Sequence, residues 1–165
     1  MSLPPVALVI GAGDATGGAV ARRFARGGYT VCATRRTMEK LQPLIDAIRA
    51  EGGTAHGFAS DARKEEEVVA LVQRIESTIG AIEVLVFNIG ANAPSSILDH
   101  VAHLIVDAAI DTAFIRDNFP ERYALRDRDG IVDPEHIAET YWMLHRQPRD
   151  AWTHELDLRP WIEKF

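Results

Sequence analysis

The sequence predicts an α/β fold in which helices cover both faces of a parallel, doubly wound sheet. Over the first ninety residues, short apolar runs alternate with segments of helical apolar period. Three strand–helix–strand units follow one another in this way, and such units imply a parallel sheet. A glycine-rich turn joins the first apolar run to the first helical segment, as expected at the start of such a fold.

The elements of the first half follow from this alternation. A fully apolar run is typical of a strand that is buried on both faces, and glycine after a periodic segment marks the end of a helix. The predicted strands are Val6 to Ile10, Tyr29 to Ala33, Thr54 to Ala59 and Ile82 to Phe87. The predicted helices are the segment from the glycine turn to Gly27, Met38 to Ala50, and about Lys64 to Ile79.

The second half is less regular. Asp133 followed by Pro134 predicts the start of a helix, because aspartate is a good N-cap and proline suits the first helical position. The other predicted elements are a buried strand from His100 to Val106, a turn and short helix within Ile110 to Phe119, a charged loop from Glu121 to Gly130, the helix that ends near His145, and a final strand within Trp152 to Leu158.

The length, charge and cysteine content of the chain limit the classes of function that it can have. The 165 residues predict a single domain over 1–165, with an N-terminal half at 1–92 and a C-terminal part at 100–165. The net charge of −6 disfavours nucleic acid or an anionic membrane as a partner. No apolar stretch approaches the ~18 residues of a membrane span, and no signal peptide is recognisable. The single cysteine, Cys32, excludes an internal disulfide and favours the cytoplasm.

The glycine-rich turn predicts a dinucleotide site. Gly11, Gly13 and Gly17 follow a strand and open a helix. Glycines permit the tight turn and a close approach of the backbone to a pyrophosphate, whose charge the helix N-terminus stabilises. Tight packing without a ligand is the other interpretation of such a turn.

The end of the second strand discriminates between cofactors. A site for NAD places an acidic residue there, which binds the ribose 2′-hydroxyl. This chain has Arg35 and Arg36 instead, and guanidinium groups suit a 2′-phosphate. NADP(H) is therefore favoured over NAD(H), with a solvated basic loop as the alternative.

The turn resembles that of the short-chain dehydrogenase/reductase family. Members of that family have Thr-Gly-x-x-x-Gly-x-Gly after the first strand, and Ile10 to Gly18 occupies that place with Gly11 and Gly17 at the outer glycine positions. Ile10 replaces the threonine and Ala15 the middle glycine. The resemblance implies a Rossmann-type sheet and a cofactor loop that also includes Asp14, Ala15 and Thr16.

Further positions are similar to the family pattern. Asp61 resembles the aspartate that contacts adenine, and Asn88-Ile89-Gly90 resembles the Asn-Ala-Gly that follows strand four, which adds Asn88 and Gly90 to the expected cofactor site. Downstream, the resemblance implies that the Ile110 backbone and Thr112 hold the nicotinamide carboxamide, although alanines replace the Pro-Gly of that segment. The implied activity is hydride transfer between NADP(H) and a small carbonyl or alcohol substrate.

The catalytic residues of the family are absent from this sequence. Its general acid/base is a tyrosine followed four residues later by lysine, but Tyr29, Tyr123 and Tyr141 are followed there by alanine, aspartate and histidine. The interval from Ile89 to Asp99 is also shorter than the roughly dozen residues that a parallel crossover needs. Both observations predict that the fifth strand and the catalytic helices are missing, with a deletion junction near Asp99 and His100.

Two functions remain open at this point. The first is an NADP(H)-dependent short-chain oxidoreductase whose catalytic serine, tyrosine and lysine are not in this chain, which we then expect to be inactive on its own. The alternative is a non-enzymatic nucleotide-binding or interaction protein. No catalytic or metal-binding residues are assigned: Tyr141 and His145 are one helical turn apart but suit a sheet-covering helix better. The aromatic C-terminus and the sheet edges left open favour a homo-oligomer.

Overall fold

A computed structural model describes residues 4–89 and 102–162. The chain forms two compact units, Met1–Gly90 and Ala91–Phe165, and each is described by itself. The prediction of a single domain stays a prediction, and the expected junction near Asp99 lies outside the described residues.

The first unit is a four-stranded parallel sheet with helices. Its strand order is β3-β2-β1-β4, and every neighbouring pair is parallel. The predicted elements of this half are therefore confirmed, with small changes at their ends. In chain order they are β1 Val6–Ile10, α1 Thr16–Arg26, β2 Thr30–Arg35, a 3-10 turn Met38–Lys40, α2 Gln42–Ala50, β3 Thr54–Ala59, α3 Glu65–Thr78 and β4 Ile82–Phe87.

Helices α2 and α3 lie on opposite faces of this sheet. Two neighbouring residues of β3 show this, because successive side chains of a strand point to opposite sides. Gly57 of β3 lies against α2, where a Cβ would come within 3.2 Å of both Ile45 and Leu41. The next residue, Phe58, packs against a cluster that includes Leu71 and α3's other buried residue, Ile75. All five residues of β1 are buried, as expected for a central strand covered on both sides.

The register places the carboxyl ends of the four strands at one edge. Ile10 pairs with Thr34 of β2 and with Phe87 of β4, and Arg35 pairs with Ala59 of β3. Ligands of open parallel sheets bind outside the carboxyl ends of the strands. The loops that leave this edge are therefore the place to look for a site.

The second unit contains a two-stranded parallel sheet and short helices. Its elements are β5 His103–Val106, α4 Ala113–Asn118, α5 Pro120–Tyr123, a 3-10 turn Arg126–Arg128, α6 Pro134–His145 and β6 Glu155–Leu158, with β5 paired to β6. An isolated parallel bridge joins Ile110 to Val132. Among the described residues of this unit, Ile137 and Ala138 of α6 are fully buried.

Two predictions for this unit need comment. The helix start at Asp133 is confirmed, since its side chain accepts a hydrogen bond of 2.8 Å from the Glu135 N–H. The prediction of a plain loop from Glu121 to Gly130 is wrong, because α5 and the 3-10 turn occupy most of this segment. These turns are short and mostly exposed, so they leave no apolar period in the sequence.

Within residues 4–89 and 102–162, no helix has the length and apolar character needed to span a membrane.

Candidate nucleotide-binding site

The glycine turn is fixed between the ends of β2 and β4. The N–H groups of Gly11 and Ala12 both donate to the Thr34 carbonyl, at 3.2 and 2.9 Å. Gly11 has a φ of +85°, and a Cβ there would lie 2.3 Å from the Asn88 carbonyl oxygen. Only glycine combines this left-handed conformation with such close packing.

Asn88 ties the same turn to β4. Its N–H donates to the Ile10 carbonyl at 2.9 Å, and its side-chain amide donates to the Gly11 carbonyl at 3.2 Å. Asn88 therefore holds the glycine turn against the end of β1 by hydrogen bonds from both its backbone and its side chain. Gly90, the other expected residue of this segment, lies outside the described residues.

The N-terminus of α1 packs tightly on the turn. A Cβ on Gly17 would lie 2.3 Å from the Gly11 carbonyl oxygen, and one on Gly18 would lie 2.4 Å from the Gly13 carbonyl oxygen. Sequence reasoning missed Gly18 as a residue of the site, although its place directly after Gly17 is an available signal of close packing. Both glycines let the first turn of α1 approach the loop.

Gly13 differs from the other glycines of the turn. A Cβ built on it would meet no atom within 4 Å. Thr16 begins α1, and the Ala19 N–H donates to the Ala15 carbonyl at 2.9 Å. The first four N–H groups of an α-helix have no partner within the helix, so the N-terminus of α1 attracts anions. The turn fits a diphosphate, because open space and helix amides occur together.

Arg35 faces the glycine turn from the end of β2. Its Nη1 atom donates to Oδ1 of Asp14 at 2.9 Å and to the Lys40 carbonyl at 3.1 Å. Asp14 is 86% exposed and the Arg35 side chain 28% exposed. Arg36, the next residue, is exposed. Two guanidinium groups therefore stand at the end of β2, as the sequence predicts.

Asp61 follows β3, and its carboxylate is hydrogen-bonded to Arg63. Arg63 makes two side-chain hydrogen bonds to its carboxylate, at 2.9 and 2.6 Å, and the Asp61 N–H donates to Glu67 at 2.8 Å. These hydrogen bonds from Arg63 hold the pKa of the Asp61 carboxyl well below its usual range, and the charge of Arg36 lowers it further. Sequence reasoning missed Arg63, although its place two residues after the aspartate is an available signal.

Ser60 adds a buried hydroxyl at this edge. It is 9% exposed, and its Oγ atom has no hydrogen-bond partner among the described residues. A buried hydroxyl without a partner is costly, so a ligand atom that completes its hydrogen bonding would bind favourably.

The downstream candidates belong to the second unit. The Thr112 hydroxyl accepts a hydrogen bond of 3.2 Å from the Ile115 N–H and so caps α4. Ile110 takes part in the bridge to Val132, and the neighbouring Asp111 N–H donates to the Val132 carbonyl at 2.8 Å. These contacts explain the local structure of both residues, while their role toward a nicotinamide stays a prediction.

The described residues do not support a metal site, a tyrosine base at Tyr141 or a reactive thiol at Cys32. They contain no group of three or more histidine, cysteine or acidic side chains that could hold a metal ion. Burial raises the pKa of Tyr141, which opposes a role as a base, and no lysine lies four residues later. Cys32 is fully buried, and burial raises the pKa of its thiol to about 12, as fits a core residue.

Comparison with known proteins decides the family. The family model for short chain dehydrogenases matches residues 5–115, most of the chain. The chain belongs to the short chain dehydrogenase family. It is 31% identical over 103 residues to an uncharacterized oxidoreductase of Mycobacterium tuberculosis, with 62% of this chain and 39% of that protein covered. It is 34% identical over 92 residues to 2,3-dihydro-2,3-dihydroxybenzoate dehydrogenase of Bacillus subtilis, with 56% and 35% covered.

Solved structures of short-chain dehydrogenases share the fold. One from Rhodopseudomonas palustris is 28% identical, with a TM-score of 0.66 over 95% of this chain and 99% of that chain. An actinorhodin polyketide ketoreductase with NADPH is 18% identical, with a TM-score of 0.76 over 95% of this chain and 96% of that chain. The predicted Rossmann-type α/β fold is thereby confirmed.

The chain is short for its family. It spans less than two-fifths of the length of the two curated relatives above. Against the family fold, the central segment is missing, as the sequence predicts. The sequence also contains no tyrosine that is followed four residues later by a lysine.

Proposed function

We propose that this chain binds NADP(H) and represents the cofactor-binding part of an NADP(H)-dependent short-chain oxidoreductase. The observation that carries the proposal is the open space at Gly13 beside the N-terminus of α1. The Arg35 side chain contacts Asp14 of the same turn and adds a positive charge to the site.

The phosphates and the adenine of the cofactor have candidate partners in the first unit. The diphosphate suits the open space at Gly13 and the amides at the N-terminus of α1, where helix polarity favours negative charge. The ribose 2′-phosphate suits Arg35 and Arg36, since guanidinium groups bind phosphate through paired, charge-assisted hydrogen bonds. The adenine suits Asp61 and the unpartnered Ser60 hydroxyl. Ile110 and Thr112 are the proposed partners of the nicotinamide carboxamide.

A bound nicotinamide dinucleotide supplies hydride transfer to or from a carbonyl or alcohol. The residues of this chain bind and orient that cofactor and neutralise its phosphates. No tyrosine of the sequence has a lysine four residues later. We therefore propose that the chain on its own binds cofactor without turning over substrate.

A second candidate is a nucleotide-binding or interaction protein without catalysis. The missing tyrosine–lysine pair favours it, because a short-chain dehydrogenase without this pair has no general acid/base. Oxidation of NADPH that depends on an added carbonyl compound tests whether this chain on its own catalyses hydride transfer. Turnover by protein of verified mass 18.2 kDa would contradict our proposal that this chain is inactive.

Cofactor choice is tested by substitution at the end of β2. Arg35→Ala and Arg36→Ala should weaken NADPH binding far more than NADH binding, measured by the fluorescence of the bound cofactor. Arg26→Ala is a matched control, because Arg26 also forms an exposed ion pair, with Glu51 at 3.2 Å, but at the opposite end of α1. Equal losses for both cofactors would refute the 2′-phosphate assignment.

We also propose a cytoplasmic homo-oligomer that has no nucleic acid or membrane partner. A single buried cysteine suits a reducing compartment. Leu85 and Phe87 of β4 are each 57% exposed, and large apolar side chains on an outer strand favour contact with another subunit. Light scattering of the purified protein tests the oligomer, and a monomeric mass would contradict it.

A further inference from the structure

The ion pair between Arg35 and Asp14 joins the two halves of the candidate site. Asp14 belongs to the glycine turn, while Arg35 is the last residue of β2. The guanidinium donates through Nη1 both to Asp14 and to the Lys40 carbonyl. Its Nε and Nη2 groups take part in neither bond, although a guanidinium has five N–H donors in a planar fork.

A carboxylate and a phosphate present similar pairs of oxygen acceptors to arginine. We propose that Asp14 occupies Arg35 in the cofactor-free chain and competes with the 2′-phosphate for it, so that Asp14 weakens the preference for NADP(H) over NAD(H). Asp14 is then a specificity-determining residue that acts through Arg35. The inference rests on the proposed function, since it needs the cofactor to bind at this turn.

Exposure makes an exchange of partners feasible. Asp14 is 86% exposed, so its carboxylate is well hydrated once it leaves Arg35. An exposed ion pair contributes little to stability, and releasing it is correspondingly easy. Arg35 is more buried and is held at the end of β2 by the Lys40 carbonyl. The guanidinium can therefore stay in place while its acidic partner changes.

The second acidic residue near this end of the sheet is occupied differently. Asp61 is held by Arg63 through two side-chain hydrogen bonds. Asp61 also interacts with the charge of Arg36, which lowers the pKa of the Asp61 carboxyl in addition to the effect of Arg63. Asp14 is thus the carboxylate whose contact competes directly for Arg35.

Two adenosine phosphates that differ only in the 2′-phosphate test the inference without the nicotinamide end. Isothermal titration calorimetry with 2′,5′-ADP and with 5′-AMP gives the affinity of each protein for the 2′-phosphate. Asp14→Asn keeps the side-chain shape and removes the charge. We expect it to tighten 2′,5′-ADP binding about two- to fivefold, the size of an exposed ion pair, and to leave 5′-AMP binding unchanged.

Glu51→Gln is the matched control, because Glu51 forms the exposed ion pair with Arg26 away from the turn. We expect it to change neither affinity. A double-mutant cycle adds a test of mechanism. In an Arg35→Ala background, Asp14→Asn should lose most of its effect, since the competed group is gone.

The outcomes separate this inference from the proposed function. If the unsubstituted protein binds neither probe, the proposed function fails and the inference with it. If that protein binds 2′,5′-ADP more tightly than 5′-AMP, but Asp14→Asn weakens 2′,5′-ADP binding or shifts both probes equally, only the competition is refuted. An undiminished effect of Asp14→Asn in the Arg35→Ala background would also refute it, because the carboxylate would then act by repulsion alone.

Discussion

A methyl group added at Gly13 or at Gly17 should change different properties of the same turn. At Gly17 the added carbon would lie 2.3 Å from the Gly11 carbonyl oxygen and 2.9 Å from the Asn88 side-chain nitrogen. Ordinary contacts of a Cβ are 3.4–4 Å. The nearest obstacle is backbone, which cannot rotate away as a side chain would.

The expected cost of Gly17→Ala follows from this overlap. Overpacking costs about 1–3 kcal/mol, and the higher helix propensity of alanine offsets at most about 1 kcal/mol of it. We expect a net loss of about 2 kcal/mol, which corresponds to a fall of about 4–8 °C in Tm for a chain of this length.

Gly13→Ala should show the opposite pattern. The added carbon meets no atom within 4 Å, and φ at Gly13 is not in the left-handed region. Replacing such a glycine lowers the entropy of the unfolded chain, so Tm should stay unchanged or rise by an amount that reflects about 0.4–1 kcal/mol. The methyl group fills the space assigned to the diphosphate, so NADPH binding should weaken at least about tenfold.

Thermal unfolding followed by circular dichroism and calorimetric titration with NADPH measure the two properties on the same samples. Normal NADPH binding by Gly13→Ala would mean that the cofactor does not lie in this open space. An unchanged Tm of Gly17→Ala would contradict the close packing between α1 and the turn.

Three further predictions concern other parts of the molecule. Removing the cap of α6 by Asp133→Ala should cost about 1 kcal/mol, visible as a lower denaturant midpoint; an unchanged midpoint would contradict the capping role. The buried Cys32 thiol keeps its proton in the folded chain, so unfolding ionises it at high pH and stability should fall above about pH 9, by at most about 1.4 kcal/mol per pH unit. Cys32→Ala should make this decline shallower in denaturant unfolding at pH 8, 9 and 10, and parallel curves would contradict it. Purified protein of mass 18.2 kDa should not oxidise NADPH when aldehydes or ketones are added, and any carbonyl-dependent loss of absorbance would contradict the missing acid/base pair.

The first unit was predictable because its signals are local. A run as apolar as Val6–Ile10 can hardly lie anywhere but in a buried strand, and the glycine turn marks where that strand ends. Gly11 and Gly17 carry the signature of close backbone approach, which the structure confirms with distances to the Gly11 and Asn88 carbonyl groups.

The pairing of side chains at the site was beyond sequence reasoning. Whether Arg35 points to Asp14, and Arg63 to Asp61, depends on rotamers and on loop geometry that no periodic pattern encodes. The short turns between Glu121 and Gly130 were missed for a related reason. Exposed helical turns bury no face, so they leave no apolar spacing to detect.

The most direct test of the central claim is calorimetric titration of the purified 18.2 kDa protein with NADPH and with NADH. We expect one NADPH site per chain and clearly weaker binding of NADH, because Arg35 and Arg36 have no 2′-phosphate to bind in NADH. Equal affinities would contradict the cofactor assignment, and binding of neither cofactor would contradict the function proposed for this chain.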